Sequence, residues 1–283
     1  MNETKTEFYI ESASYLSFRE LCDACRDQAK IGMSFGRPGV GKTEAALRYS
    51  GWLLMESNLA VRNGVPLRPE ELLSGTALYY KPGITVSPQR LKSELTVHRN
   101  RFFDMKERAF SWTRPGEWIA EKESHRVRLI IVDEAHRLKY QCLEELRDLQ
   151  ERWHVGIILI GDPGMESSLP RMFHFADRVR YAEKFEALTT LEVSQYVDYQ
   201  AETLQISKPR AEVYAMINSY SRGNPRTLGH LFALIERILK INSDIVDGIS
   251  SEVVDTAREL MLVRLGGGNL KSFDQSVELA SAV

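Results

Sequence analysis

Short apolar runs alternate with amphipathic stretches through the first two thirds of the chain. "IGMSF" (31–35), the "ALYY" of "TALYYKPGITVSP", "LIIV" (129–132) and "VGIILIGD" (155–162) are rich in β-branched or aromatic residues and are followed by Gly, Pro or acidic positions, which predicts strands. "LIIV" shows no polar alternation, so it reads as a central parallel strand covered on both faces. "TEAALRYSGWLLM" and "QRLKSELTVHRNRFFDMKERAFSWTRPGEWIAEK" read as largely helical. Ahead of the first strand, "SFRELCDACRDQAK" reads as a helix that Ser17 and Glu20 open in capping-box spacing. Strands and helices in alternation predict an α/β fold, a parallel sheet with helices on both faces.

From about Glu186 the pattern changes. "LTTLEVSQYVDYQAETL", "PRAEVYAMINSYSRG", "NPRTLGHLFALIERILKIN" and "SDIVDGISSEVVDTARELMLVRL" repeat apolar residues at steps of three and four, with Gly, Pro, Asn or Ser at the joints. That spacing predicts a small all-helical domain whose Leu, Ile and Met positions form its core. The expected organisation is an N-terminal segment and helix (1–30), an α/β core (31–185), a helical domain (186–265) and a flexible tail (266–283) beginning at "GGGN". No internal repeat is found.

Composition narrows the classes. The chain has 283 residues, 43% hydrophobic and 27% charged, with a net charge of −2, ordinary values for a globular protein and against a uniformly basic nucleic-acid binder. No apolar stretch is long enough to span a bilayer, and "MNETKTEFYIESASY" lacks the order of a secretory signal. The expected setting is the cytoplasm, with no membrane partner. The "CDAC" pair, Cys22 and Cys25, lacks two further ligands at zinc spacing and reads as two helix-side cysteines. No Ser-His-Asp or Cys-His constellation stands out, and His136 reads as a packing residue.

The densest chemistry lies at "GRPGVGKT", residues 36–43, between the first strand and the first long helix. It fits G-x-x-x-x-G-K-[ST] at every required position. Gly36, Arg37, Pro38, Gly39, Val40 and Gly41, with Lys42, Thr43 and Glu44 opening the helix, form the expected phosphate cradle. Glycines let the N–H groups converge, and the helix aims its positive end at the anion. Lys42 adds charge at the β and γ phosphates, and Thr43 offers a hydroxyl to Mg²⁺. The plain alternative is a Gly-Pro turn before a helix. A second cluster, "LIIVDEAHRL", ends its strand in Asp133 and Glu134. The first carboxylate can hold Mg²⁺ beside Thr43, and the second can orient and deprotonate a water, which predicts ATP hydrolysis. At the end of "VGIILIGD", Asp162 can face the γ-phosphate's water, or Asp162-Pro163-Gly164 can be only a turn.

Taken in order, "GRPGVGKT", "LIIVDEAHRL", "IILIGDPG" and "SRGNPRTLGHLF" resemble the AAA+ ATPases, and within them the short transposition regulators of the TniB/TnsC/MuB type, with ExeA-like ATPases as near relations. The resemblance implies an AAA+ P-loop core followed by a helical lid, with ATP and Mg²⁺ as cofactors. Lys42 and Thr43 match Walker A; Asp133 and Glu134 match Walker B. Asp162 falls at sensor 1, where relatives more often carry Asn, Thr or Ser; an aspartate there repels a γ-phosphate unless protonated or facing the metal. Arg226 in "GNPRTL" matches the sensor 2 arginine. The arginine that completes a neighbouring subunit's site falls in "LPRMFHFADRVRYAEKF", with Arg178 first and Arg171 second; for each, an exposed surface ion pair is the alternative.

Between Pro88 and Arg128 there are ten Lys/Arg and six Asp/Glu, +4 locally against −2 for the chain. These cations are interleaved with Phe102, Phe103, Trp112 and Trp118, so the segment is either a phosphate-binding surface or the wet face of a helix whose aromatics are core. The resemblance implies DNA contacts at Gln89, Arg90, Lys92, Thr113 and Arg114. It further implies a homo-oligomer or filament on duplex DNA, bound largely without regard to sequence, a transposase partner and, as a further candidate, a target-selection protein. Helicase loading, origin recognition, or a nucleotide-switched module without a DNA role are the rival functions.

Overall fold

The computed structural model describes residues 9–60, 65–116, 126–165, 178–242 and 248–265. Contacts divide the chain into two units. One holds Ser14–Pro38 and Lys42–Phe185; the other runs from Glu186 onward and takes in Gly39–Gly41 and the residues up to Ala13.

The first unit is built on a five-stranded sheet: β1 (Ile31–Phe35), β2 (Ala77–Tyr80), β3 (Leu129–Val132), β4 (Gly156–Gly161) and β5 (Val179–Lys184), in the order β2-β3-β4-β1-β5. Every neighbouring pair is parallel, as the α/β reading expects. Leu129 to Val132 and Ile157, Ile158 and Ile160 are fully buried, because helices cover both faces of a central strand. At the sheet edge β5 instead alternates half-buried with exposed positions. Helices α1 (Ala13–Gln28), α2 (Lys42–Ser50), α3 (Trp52–Ala60), α4 (Pro69–Ser74), α5 (Pro88–Thr113) and α6 (Tyr140–Trp153) complete the described part of this unit.

Parallel pairing places all five strand ends on one edge. Gly36 N–H donates to Gly161 O at 3.2 Å, Asp133 N–H to Tyr80 O at 2.9 Å and Phe185 N–H to Phe35 O at 2.8 Å. The loops after β1, β2, β3 and β4 therefore emerge side by side, where open α/β sheets bind ligands. Since β4 lies between β1 and β3, whatever follows β4 sits between the loops that follow those two strands.

Three element boundaries depart from the sequence reading. Helix α1 starts at Ala13, so Ser17 and Glu20 lie inside it. The run after the glycine loop is two helices, parted at Gly51 with φ +61°. Helix α5, capped by Ser87 Oγ accepting from Arg90 N–H and with Pro88 at its first position, stops at Thr113. Pro115 holds the preceding residue out of helical geometry, and Arg114 has φ −134° and ψ 67°. Trp118 lies outside the described residues.

In the second unit, α7 (Thr190–Thr203), α8 (Ala211–Ser221), α9 (Pro225–Ile241) and α10 (Ser251–Leu265) bury Val193, Val197, Ile217, Leu228, Leu231, Ile235 and Val254 in one cluster. The cluster takes in valines as well as the Leu and Ile positions expected as core, whereas Leu191, Ile241 and Leu262 are exposed.

Candidate nucleotide-binding site

Three positions of the loop after β1 cannot carry ordinary side chains. A Cβ at Gly36 would run into Phe185 O, and Gly39 and Gly41 hold φ of +83° and +109°, conformations that L-residues rarely adopt. Lys42 and Thr43 open α2 directly behind the loop. The Lys42 ammonium donates to Gly36 O and, at 3.0 Å, to Arg37 O. It stands 3.7 Å from Asp162 Oδ1. Burial pushes the Lys42 pKa down, while Asp162, Asp133 and Glu134 pull it back up.

Asp133, only 2% exposed, is held on every side. Its Oδ2 accepts from Thr43 Oγ1 at 2.8 Å and from Tyr79 Oη at 2.8 Å; its Oδ1 accepts the Glu134 N–H at 2.9 Å. Burial, and next the Asp133 charge, push the Tyr79 phenol up, so it remains a donor. Glu134 takes a left-handed φ of 53° at the start of a single 3₁₀ turn, Ala135–Arg137. Strain of this kind in a non-glycine residue recurs at functional sites. Lys81 Nζ at 3.7 Å, His136 Nε2 at 3.4 Å and Arg137 Nη2 at 3.3 Å surround its carboxylate.

The structure thus brings Gly36, Lys42, Thr43, Asp133, Glu134 and Asp162 together at one edge of the sheet. It also adds Tyr79, Lys81, His136 and Arg137, which sequence reasoning did not select. His136 is not a packing residue: its side chain is 31% exposed and faces Glu134 and Asp162. The "ALYYK" run could have pointed to Tyr79 and Lys81 only once β2 was known to pair with β3. Glu44 lies in the first turn of α2, and Val40 is buried.

The remaining predicted residues lie elsewhere. Arg178 precedes β5, at the opposite edge of the sheet, and pairs with Glu151 at 3.2 Å; Arg171 lies outside the described residues. Arg226 belongs to the helical unit. Asn224 caps its helix, and the Arg226 N–H donates to Asn224 Oδ1 at 3.0 Å and to Gly39 O at 3.3 Å. The five DNA candidates separate into two groups at the ends of α5, whose 26 residues span about 39 Å. Gln89 is exposed, Arg90 pairs with Glu94 at 2.7 Å and Lys92 with Glu145 at 3.3 Å. At the far end, Thr113 Oγ1 donates back to Ala109 O at 3.1 Å and Arg114 lies 5.6 Å from the Phe110 ring. Between them Phe102 and Lys106 are buried, whereas Trp112 is 56% exposed. The aromatics are therefore partly core and partly surface.

A glycine loop leading from a strand into a helix, set against a buried Asp on a parallel strand two positions away, defines a P-loop nucleotide-binding fold of the AAA+ class. The family described as "AAA domain" matches residues 25–169, more than half of the chain, and the chain belongs to that family. A Staphylococcus aureus protein named "Potential ATP-binding protein" is 32% identical over 92% of this chain and 98% of its own length. The "ATP-dependent target DNA activator B" of Escherichia phage Mu is 26% identical over 60% of this chain, which spans 47% of that protein. Among solved structures, Thermotoga maritima RuvB, a "Holliday junction branch migration motor", superposes with a TM-score of 0.56 at 17% identity, over 87% of this chain and 68% of that one. At that identity the likeness concerns the fold. No helix among the described residues is long and apolar enough to cross a membrane.

Proposed function

We propose that this chain is an ATP-dependent, DNA-binding AAA+ regulator of DNA transposition. It assembles on target DNA with ATP bound, recruits or activates a transposase there, and disassembles on hydrolysis. The observation that carries the reading is the 2.8 Å hydrogen bond from Thr43 to Asp133, which joins the loop helix to a buried carboxylate 90 residues away. A hydroxyl and a carboxylate at this distance are the hard oxygen ligands that Mg²⁺ takes. Among the described residues no three His, Cys, Asp or Glu side chains cluster as a metal site of their own. A cation held by Thr43 and Asp133 would therefore complete its shell with water and phosphate, as Mg²⁺ prefers.

In this reading the loop N–H groups and Lys42 hold the phosphates. Bound Mg²⁺ supplies neutralisation of charge at the phosphate oxygens. Glu134 orients and deprotonates the attacking water, Asp162 faces it, Arg226 is the helical unit's γ-phosphate residue, and Arg178 acts on a neighbouring subunit's nucleotide.

The DNA half rests on the likeness to the phage Mu protein, whose name describes an activator of target DNA, and on the cations of α5. Gln89, Arg90, Lys92, Thr113 and Arg114 then contact phosphates, which positions the protein without reading sequence. One observation favours a second reading, a nucleotide-switched module without a DNA role: Arg90 and Lys92 already have carboxylate partners. Exposed pairs of this kind hold weakly, so a phosphate can replace the carboxylate.

Duplex DNA binding, measured at low salt with a non-hydrolysable ATP analogue, tests both halves. The parent should bind only with the analogue present and lose affinity steeply as salt rises; Lys42→Ala should lose nucleotide binding, DNA binding and assembly together. A parent that binds the analogue but not DNA removes the DNA role, and a Lys42→Ala protein that assembles like the parent removes the nucleotide site.

A further inference from the structure

Asp162 poses a problem that the surrounding distances answer. The sheet order puts the end of β4 between the loops after β1 and β3, so Asp162 stands between Lys42 and Glu134. A carboxylate at that place opposes a triphosphate, whose own negative charge must settle beside Lys42. Among the described residues, two basic side chains lie within 4 Å of Asp162, and they take one oxygen each. Lys42 Nζ is 3.7 Å from Oδ1, and His136 Nε2 is 3.7 Å from Oδ2. A phosphate drawing on the Lys42 charge leaves Asp162 with His136 alone.

His136 has a second partner. The same Nε2 lies 3.4 Å from Glu134 Oε2, so one ring nitrogen stands between the carboxylate after β3 and the carboxylate after β4. The 3₁₀ turn Ala135–Arg137, entered through the left-handed Glu134, turns the imidazole back toward the strand ends. Glu134 keeps Lys81 and Arg137 as further partners. With Lys42 drawn to the phosphate, Asp162 has no such reserve among the described residues, so removing His136 falls mainly on Asp162.

We propose that His136 is a positioning residue that holds Asp162 away from the γ-phosphate, so that this site accepts a triphosphate despite an aspartate at the tip of β4. The proposal rests on the nucleotide reading of the site, and it concerns the third phosphate specifically. ADP, which lacks that group, is indifferent to His136.

Dissociation constants for ATP and ADP, measured with Mg²⁺ by displacement of a fluorescent ADP analogue from the full chain, test it. In His136→Ala the ADP constant should stay within about twofold of the parent while ATP binding weakens about tenfold. Adding Asp162→Asn to His136→Ala should bring the ATP constant back toward the parent, because the carboxylate charge that His136 held aside is gone. Unaltered ATP binding in His136→Ala, an equal loss for both nucleotides, or no recovery in the double variant overturns the proposal. A parent chain that binds neither nucleotide overturns the nucleotide reading, and this inference with it.

Discussion

Glu183 illustrates how far a single side chain can depart from its usual behaviour. It sits half-buried on β5 and accepts a 3.3 Å hydrogen bond from Ser34 Oγ, on the strand that leads into the glycine loop. Burial outweighs that bond and pushes its carboxyl from the ordinary carboxylate range up to about 7. A carboxyl whose folded-state pKa is raised favours the folded state fully below its ordinary pKa and loses that contribution as pH climbs through the folded value. Glu183→Gln should therefore match the parent's melting temperature near pH 4.5 and exceed it by a few degrees at pH 8. Thermal melts across that range check the result, and equal melting at pH 8 contradicts the burial of a charge. At this scale legibility was uneven. Lys42, Thr43 and Asp133 were readable because their chemistry demands fixed types at short spacing. Tyr79, Lys81 and His136 were not, because each meets the site through a neighbour that only strand pairing or a 3₁₀ turn supplies.

Helix boundaries were readable where the stop or start has a steric cause and ambiguous where it is a matter of spacing. Ser17 and Glu20 match a capping box yet lie within α1, while Thr189 and Glu192 form one at the start of α7: Glu192 N–H donates to Thr189 Oγ1 at 3.3 Å, and Thr189 N–H to Glu192 Oε2 at 2.7 Å. The pattern is identical in both, and the outcome depends on whether the residues before it can continue the helix. Thr189→Ala should destabilise the helical unit by about 1 kcal/mol. Denaturant titration should show a lower midpoint with an unchanged slope, since the surface exposed on unfolding is the same. Pro115 acts differently, ending α5 through a clash with the backbone of the residue before it.

Across the whole molecule, Arg178 is the residue whose position carries the most consequence. It lies at the start of β5, whose six residues extend about 20 Å, and the far end of that strand reaches Gly36 through Phe185. Arg178 is therefore a strand length from its own chain's glycine loop, so in the proposed function it acts on the nucleotide of another copy. Its contact with Glu151 is between half-exposed side chains and is readily given up. Arg178→Ala should bind ATP within about twofold of the parent, because no uniform binding contact is lost, and should lose the turnover that appears on assembly. Turnover equal to the parent's at saturating protein concentration would rule the assignment out.

The sequence by itself determined the class of this protein. Backbone approach to a phosphate requires glycines, a following lysine and a hydroxyl at set intervals, and burial on two faces requires runs such as "LIIV"; both requirements are local and leave a local trace. Tertiary structure alone decided that β4 lies between β1 and β3, and hence that Asp162 meets both Lys42 and His136. It also placed Tyr79 and Lys81 at the buried Asp133, and put the two sets of α5 candidates at opposite ends of one helix. Those outcomes depend on which strands pair and in which order, and pairing is settled by contacts between residues far apart in the chain.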